Sequence, residues 1–358
     1  MISRRSTGVL RGIGMLIVLA SHLSEWMNYA GISVVHLRTQ ALLVTWGPLG
    51  VDLFLLASGY GLYKSVEKSR AKNGRAITLS FAFRRIKNVY LPYLIIAFLI
   101  NVYSGEWGNA YAEGRLGGAV FDWLTAASFW FIRVILVLYI LFMIAFSLNR
   151  KRLRFPLIMM FVVLYTAYLF HSGHIDFWTL SNAAFLIGIY YGALEDVLMP
   201  AKKKWRTLRL IALAVSLAGL LFTWQMMLKN GGSGAEDAYG WELTVNVFFS
   251  LVSFLAVSLA CEIRNRIIRL LAGIPCAVLK AIGDASLYIY LLHQVIFWAL
   301  LAHLYRAEPA PGNYMAAASL IGIIAITAGV LIQTAGDRAA LLLKKHKGSG
   351  KKTENDVS

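Results

Sequence analysis

Cysteine is nearly absent, and the familiar signatures of soluble enzymes are missing altogether. The chain holds two cysteines, Cys261 and Cys276, too few for a disulfide framework and without metal-ligand spacing. There is no G-x-S-x-G, no H-E-x-x-H, no phosphate-binding loop and no cluster of metal ligands. No repeat of solenoid period is present either. Acid is scarce: 18 Asp and Glu stand against 35 Lys and Arg in 358 residues, a net charge of +17. Such an excess can mark a nucleic-acid binder. Here the basic residues fall between apolar runs instead of forming one stripe, which excludes that class.

Apolar surface is what the chain has in abundance. It is 58% hydrophobic with a mean hydropathy of +0.63, whereas soluble domains are about 45–50% apolar. The fold class is therefore all-α, a polytopic membrane protein. Runs long enough to cross a bilayer occupy roughly 10–29, 41–63, 88–104, 129–148, 155–171, 177–195, 208–227, 242–262, 285–304 and 314–336, which predicts about ten transmembrane helices. The run near 270–283 is short and interrupted and is expected to be interfacial. With the N-terminus in the cytoplasm, the inner segments hold 30 of the 35 Lys and Arg, as the positive-inside rule requires. Nine of the ten tryptophans then fall in outer loops or outer halves of spans, Trp205 being the exception; belt tryptophans need a water–lipid boundary. The expectation is a transmembrane domain over 1–343 with both termini cytoplasmic, followed by a basic, polar tail over 344–358 without fixed structure. Both cysteines fall on the inner side, where thiols stay reduced. The first run follows Arg4 and Arg5 like a signal peptide, but no small-x-small site succeeds it, so it is read as an uncleaved helix.

Ionisable groups inside such runs are expensive and point to function. Arg11 and His22 are 11 residues apart, so they share a helix face with about 16 Å of rise between them. Asp52 lies at a similar depth in the next run, 12 residues from Lys64, and His293 lies about nine residues beyond Asp284. A buried imidazole near a carboxylate has the form of a base with an orienting partner, so His22 with Asp52 is the expected pair. A lone histidine in a helix bundle is more often a hydrogen-bonded packing residue; the matched depth of Asp52 and the placement of Arg11 shift the balance toward chemistry. Arg11 alone could simply snorkel. Arg84, Arg85 and Lys87 stand at the foot of the third span, where they serve either topology or a polyanionic phosphate ligand. Asp284 reads as a helix N-cap, Glu25 and Arg133 as an outer-side pair, and Gly59 and Gly61 as sites of close helix packing.

Four stretches in order carry a resemblance: Arg11-x10-His22, G-V-D-L-F-L-L-A-S-G-Y at 50–60, F-R-R-I-K-N-V-Y-L-P-Y at 83–93 and S-L-Y-I-Y-L-L-H at 286–293. Together they resemble the acyltransferase-3 family of bacterial integral-membrane O-acyltransferases over nearly the whole chain. The resemblance implies ten core helices in the cytoplasmic membrane and transfer of an acyl group, commonly acetyl from acetyl-CoA, to a hydroxyl of an envelope or secreted polysaccharide. It implies catalytic roles for His22, Arg11 and Asp52, a basic segment at Arg84, Arg85 and Lys87 facing the acyl-CoA donor, and a further family position at His293. The usual R-x-x-R is here Arg84-x-x-Lys87, and Gln294 follows His293 where many members have Trp-Pro. No permanently bound cofactor or metal is expected. The expected partners are acyl-CoA, a glycan or glycolipid acceptor, the bilayer and other envelope-polysaccharide assembly proteins. Direct transfer is favoured over a covalent acyl-enzyme, since no cysteine lies at the right depth. The rival readings are a proton-coupled transporter using His22, Asp52 and His293 as a relay, against which stands the lack of a repeat, and a non-catalytic assembly component.

Overall fold

The computed structural model describes residues 4–29, 43–74, 77–148, 150–174, 177–230, 235–260, 262, 273–306 and 311–354. All of its regular structure is helical. The long helices are α1 (Arg4–Tyr29), α2 (Gly47–Asn73) and α3 (Leu79–Tyr103); two short ones follow, α4 (Glu106–Ala112) and α5 (Leu116–Thr125). Then come α6 (Trp130–Ser147), α7 (Lys151–His171), the single turn α8 (Phe177–Leu180), α9 (Asn182–Leu198), α10 (Lys202–Asn230) and α11 (Ala235–Ala260). The chain ends with α12 (Gly273–Asp284), α13 (Ser286–Arg306) and α14 (Pro311–Glu354). Among the described residues nine helices are long and apolar enough to cross a membrane, and α12 with α13 makes a tenth candidate, bent by 75°. Lipid-facing side chains such as Ile95, Leu99, Val163, Val215, Leu221 and Ile323 stand exposed along α3, α7, α10 and α14, which water would not tolerate on this scale.

Local chemistry sets the helix ends. Pro48 sits in the first turn of α2, where its missing N–H costs nothing. Gly74 closes that helix at φ 69°, its N–H donating to the Arg70 carbonyl; a side chain there would be strained. Thr78 caps α3 by accepting from the Phe81 N–H at 3.2 Å.

Polar contacts tie the basic helix ends together. Lys64 at the end of α2 pairs with Glu195 (2.8 Å) and Asp196 of α9. Arg85 at the start of α3 donates to Ser65 of α2. Tyr190 of α9 donates to the Phe155 carbonyl of α7, and Arg209 of α10 pairs with Glu262 at 2.7 Å. These contacts gather alternate helix termini at one end, so neighbouring spans run antiparallel, as the charge pattern predicted. Close crossings hold the bundle: a Cβ at Gly59 would overlap the Phe185 carbonyl of α9, and one at Gly12 would overlap the Leu279 carbonyl of α12. Gly61, expected to do the same, has open space beside it.

The segments between and after the spans carry structure as well. The stretch near 270–283 carries a helix, α12, whose 12 residues pack lengthwise on the first half of α1; its small residues permit that approach. Residues 344–354, expected to lack order, continue α14 to Glu354, since no proline interrupts the run. The stretch 105–128 folds back on α3 as α4 and α5, with Trp123 Nε1 donating to the Leu94 carbonyl at 3.1 Å. Cys276 lies half-buried on α12, and Cys261 lies outside the described residues.

Candidate active site

Two cavities flank one aromatic wall. The first, about 530 Å³, is lined by Arg11, Arg85, Lys87, Asp284, Gln333 and Asp337, with Phe131 and Tyr290 at its inner side. The second, about 870 Å³, is lined by His22, Glu25, Glu242, Asn246 and the indoles of Trp26, Trp46, Trp130 and Trp224, and again by Tyr290. Tyr290 is 6% exposed and its ring lies 5.2 Å from that of Phe131. The basic cavity is on the side where Arg85 meets Ser65; the aromatic one is on the side where Ser21 of α1 donates to the Val44 carbonyl.

The common face of Arg11 and His22 is present, and it spans the wall. Arg11 reaches Asp284 at the end of α12 (3.2 Å) and lines the basic cavity. His22 meets α13, its ring 5.1 Å from that of His293, and lines the aromatic cavity. Asp284 is thus an ion-pair partner, also held by Lys280, in place of the expected N-cap. Arg85 and Lys87 line the basic cavity, while Arg84 is exposed and does not. Phe81 and Phe83 lie beneath Arg85 and Lys87, 5.4 Å and 5.9 Å from their charges.

Asp52 does not meet His22. Both of its carboxylate oxygens are buried without a hydrogen-bond partner, and its polar neighbours are Ser181 and Ser250. Matched depth sets height and leaves azimuth open. Gly50 and Leu53 of α2 approach Gly14 of α1, and Gly50 also approaches Val18; two residues beyond Gly50 the helix has turned about 200°. Asp52 therefore faces away from α1, on the same side as Gly59, toward α9. The carboxylate at His22 is Glu25, whose Oε2 lies 3.3 Å from Nδ1. Glu25 was expected on Arg133, but Arg133 donates instead to the carbonyl and hydroxyl of Thr125. The signal for Glu25 was local: His22 and Glu25 are three apart on one helix and so adjacent.

An ionised carboxylate only accepts, so the Nδ1 of His22 donates to Glu25; in the neutral imidazole Nε2 is then the nitrogen with the lone pair. The His22 side chain is 21% exposed and lines the aromatic cavity. His293 is fully buried; its Nδ1 donates to the Tyr290 carbonyl at 2.6 Å, and its Nε2 has no partner among the described residues. A peptide carbonyl only accepts, so this bond fixes the His293 tautomer and ties its ring to the wall. No group of three or more metal-ligating side chains occurs among the described residues.

The family model of an acyltransferase domain, acyltransferase-3, matches residues 6–334. Among curated proteins, the "Probable poly-beta-1,6-N-acetyl-D-glucosamine export protein" of Staphylococcus epidermidis is 21% identical over 268 residues, covering 72% of each chain. A protein of the same name from the RP62A strain of that species matches equally. No solved structure gives a significant match. The match takes in all of the long helices except the ends of α1 and α14, and every lining residue of both cavities except Asp337; the chain belongs to the acyltransferase-3 family, as an integral-membrane acyltransferase.

Proposed function

We propose that this enzyme moves an acyl group, acetyl in the simplest case, from cytoplasmic acyl-CoA to a hydroxyl of a cell-envelope or secreted polysaccharide. The observation that carries the reading is the shared wall: Tyr290 lines both a basic cavity and an aromatic cavity that holds His22. Phosphates of the donor are bound by Arg11, Arg85 and Lys87, since guanidinium groups suit phosphate oxygens. The acceptor enters the aromatic cavity. His22 Nε2 takes the proton of the acceptor hydroxyl as its oxygen attacks the thioester carbonyl. The C–S bond then breaks, and the imidazolium returns the proton to the departing thiolate. Glu25 holds the tautomer and stabilises the imidazolium, the role first expected of Asp52. Asp52 instead is packed inside the bundle, with Ser181 and Ser250 as its polar neighbours. Arg84 belongs to the positive-inside anchor, and His293 positions both His22 and the wall.

In this reading the protein sits in a bacterial cytoplasmic membrane with both termini inside, and residues 344–358 form a basic extension of the 1–343 domain. The polysaccharide acceptor is supported by the staphylococcal relative, whose name refers to a β-1,6-linked glucosamine polymer. That name also speaks for export. A transport relay would have to join His22, Asp52 and His293, and the Asp52 oxygens bond to neither imidazole; acyl transfer is preferred. The test is purified protein in nanodiscs with labelled acetyl-CoA and an oligosaccharide. Label in the oligosaccharide, lost in His22→Ala, supports the reading; intact donor under all conditions overturns it.

A further inference from the structure

Asp52 is buried without a counter-charge. Among the described residues neither of its oxygens has a hydrogen-bond partner. The other buried ionisable side chains described each meet one: Glu195 pairs with Lys64, Arg209 with Glu262, Arg154 donates to the Leu148 carbonyl and His293 to the Tyr290 carbonyl. A buried carboxylate is too costly to stay uncompensated, so it is met by a proton or by a cation. The oxygens around Asp52 favour a cation. Its polar neighbours are Ser181 and Ser250. The Ser181 hydroxyl donates to the Pro48 carbonyl at 3.1 Å, so its proton is spent and only lone pairs remain. Ser181 stands at the N-cap of α9 and yet caps no backbone N–H. The Ser250 hydroxyl is fully buried and has no partner either. A proton on Asp52 would add one more buried donor without an acceptor, since neither carboxyl oxygen is in hydrogen-bond geometry with any described group. A metal ion takes all of these lone pairs together.

The donor set selects the ion. One carboxylate and two hydroxyls offer oxygen alone and a single negative charge. Soft metals ask for sulfur or imidazole, Ca²⁺ asks for more oxygens, and Mg²⁺ holds on to several waters. A hard monovalent ion is the match, and the small Na⁺ suits oxygens that lie out of water's reach. We propose that Asp52, Ser181 and Ser250 bind one Na⁺, which ties α2 to the start of α9 and to α11. Pro48, Val51, Leu180 and Asn246 line the aromatic cavity. Each is the chain neighbour of one of the three ligands or one helical turn from it, so the ion enters from that cavity and holds together the helices that frame it.

The experiment needs neither acyl donor nor acceptor, so it is independent of the proposed reaction. Full-length protein in nanodiscs is melted in NaCl and in N-methyl-D-glucamine chloride at equal ionic strength, and radioactive Na⁺ bound to it is counted by scintillation proximity. Na⁺ is expected to raise Tm saturably, by about 3–6 °C. Asp52→Asn should abolish both the shift and the bound Na⁺. In the Na⁺-free medium Asp52→Asn should melt no lower than the unaltered protein, because no buried charge is left to neutralise. Ser250→Ala should raise the half-saturating Na⁺ concentration by at least about tenfold; it changes little volume, and it decides the matter if Asp52→Asn does not fold. A Tm indifferent to Na⁺ overturns the inference, as does a Na⁺ shift that survives unchanged in Asp52→Asn or Ser250→Ala. A Tm that follows pH and not Na⁺, with the pH dependence lost in Asp52→Asn, also overturns it, since Asp52 then carries a proton.

Discussion

The two cavities share Tyr290 and otherwise oppose each other. One is set with Arg11, Arg85 and Lys87 against Asp284 and Asp337; the other is set with four tryptophans and two glutamates around His22. On the proposed function the difference is a division of labour: the cavity with an excess of cations gathers a polyanion, while the aromatic one holds a polyhydroxyl. In the proposed reading the base stands on the aromatic side, so the chemistry is placed with the acceptor and the donor must reach it past the wall. Substitutions on either side should therefore separate cleanly.

The largest effect is expected at the base. His22→Ala should lower turnover by about 10²–10⁴ while donor affinity stays as in the unaltered protein. Glu25→Gln should lower turnover by less, because it removes the group that orients His22 and leaves the imidazole. Single-turnover transfer and acyl-CoA binding, both per folded molecule, measure this; full turnover in His22→Ala would remove the base from the aromatic side.

On the basic side, Arg85→Ala should weaken acyl-CoA binding roughly 10- to 150-fold, the worth of a charge-assisted contact of about 1.5–3 kcal/mol. Acceptor binding should not change. Equal donor affinity in Arg85→Ala and the unaltered protein would break the contrast between the cavities.

The wall is tested by Tyr290→Ala, which opens a path between them. Water then reaches the thioester, and acyl-CoA hydrolysis without acceptor should rise by about 3- to 10-fold as the closed site loses its exclusion of water. Tyr290→Phe should show no such rise, since Tyr290 acts through its ring. The smallest effect is expected at Asp52. Asp52→Asn should alter turnover per folded molecule by less than about threefold, with any loss appearing in thermal stability instead. A loss above about 10² would return Asp52 to the chemistry.

The tryptophans show how much was legible. Their concentration at one end was visible in the sequence and reads as an interfacial belt. The structure turns Trp26, Trp46, Trp130 and Trp224 toward a cavity, and a span prediction carries no azimuth from which to tell belt from lining. Trp205, the exception in the belt, is 5% exposed at the basic end, packed 5.5 Å from Tyr191 and under Arg209. The expected His22–Asp52 contact is missing for the same reason: depth carries no azimuth, and the face is decided by Gly50 against α1 and Gly59 against α9.

By itself the sequence determined the all-α membrane class, the antiparallel order of the spans, the basic end, and the shared face of Arg11 and His22. These follow from hydropathy, charge placement and the 3.6-residue turn, which act along one helix at a time. Only the tertiary structure decided that Asp52 turns away from His22, that Tyr290 lines two cavities, and that Asn246 and Glu242 line the one that holds His22. Those depend on the rotation of each helix about its own axis, and that is fixed by close contacts between helices distant in the chain.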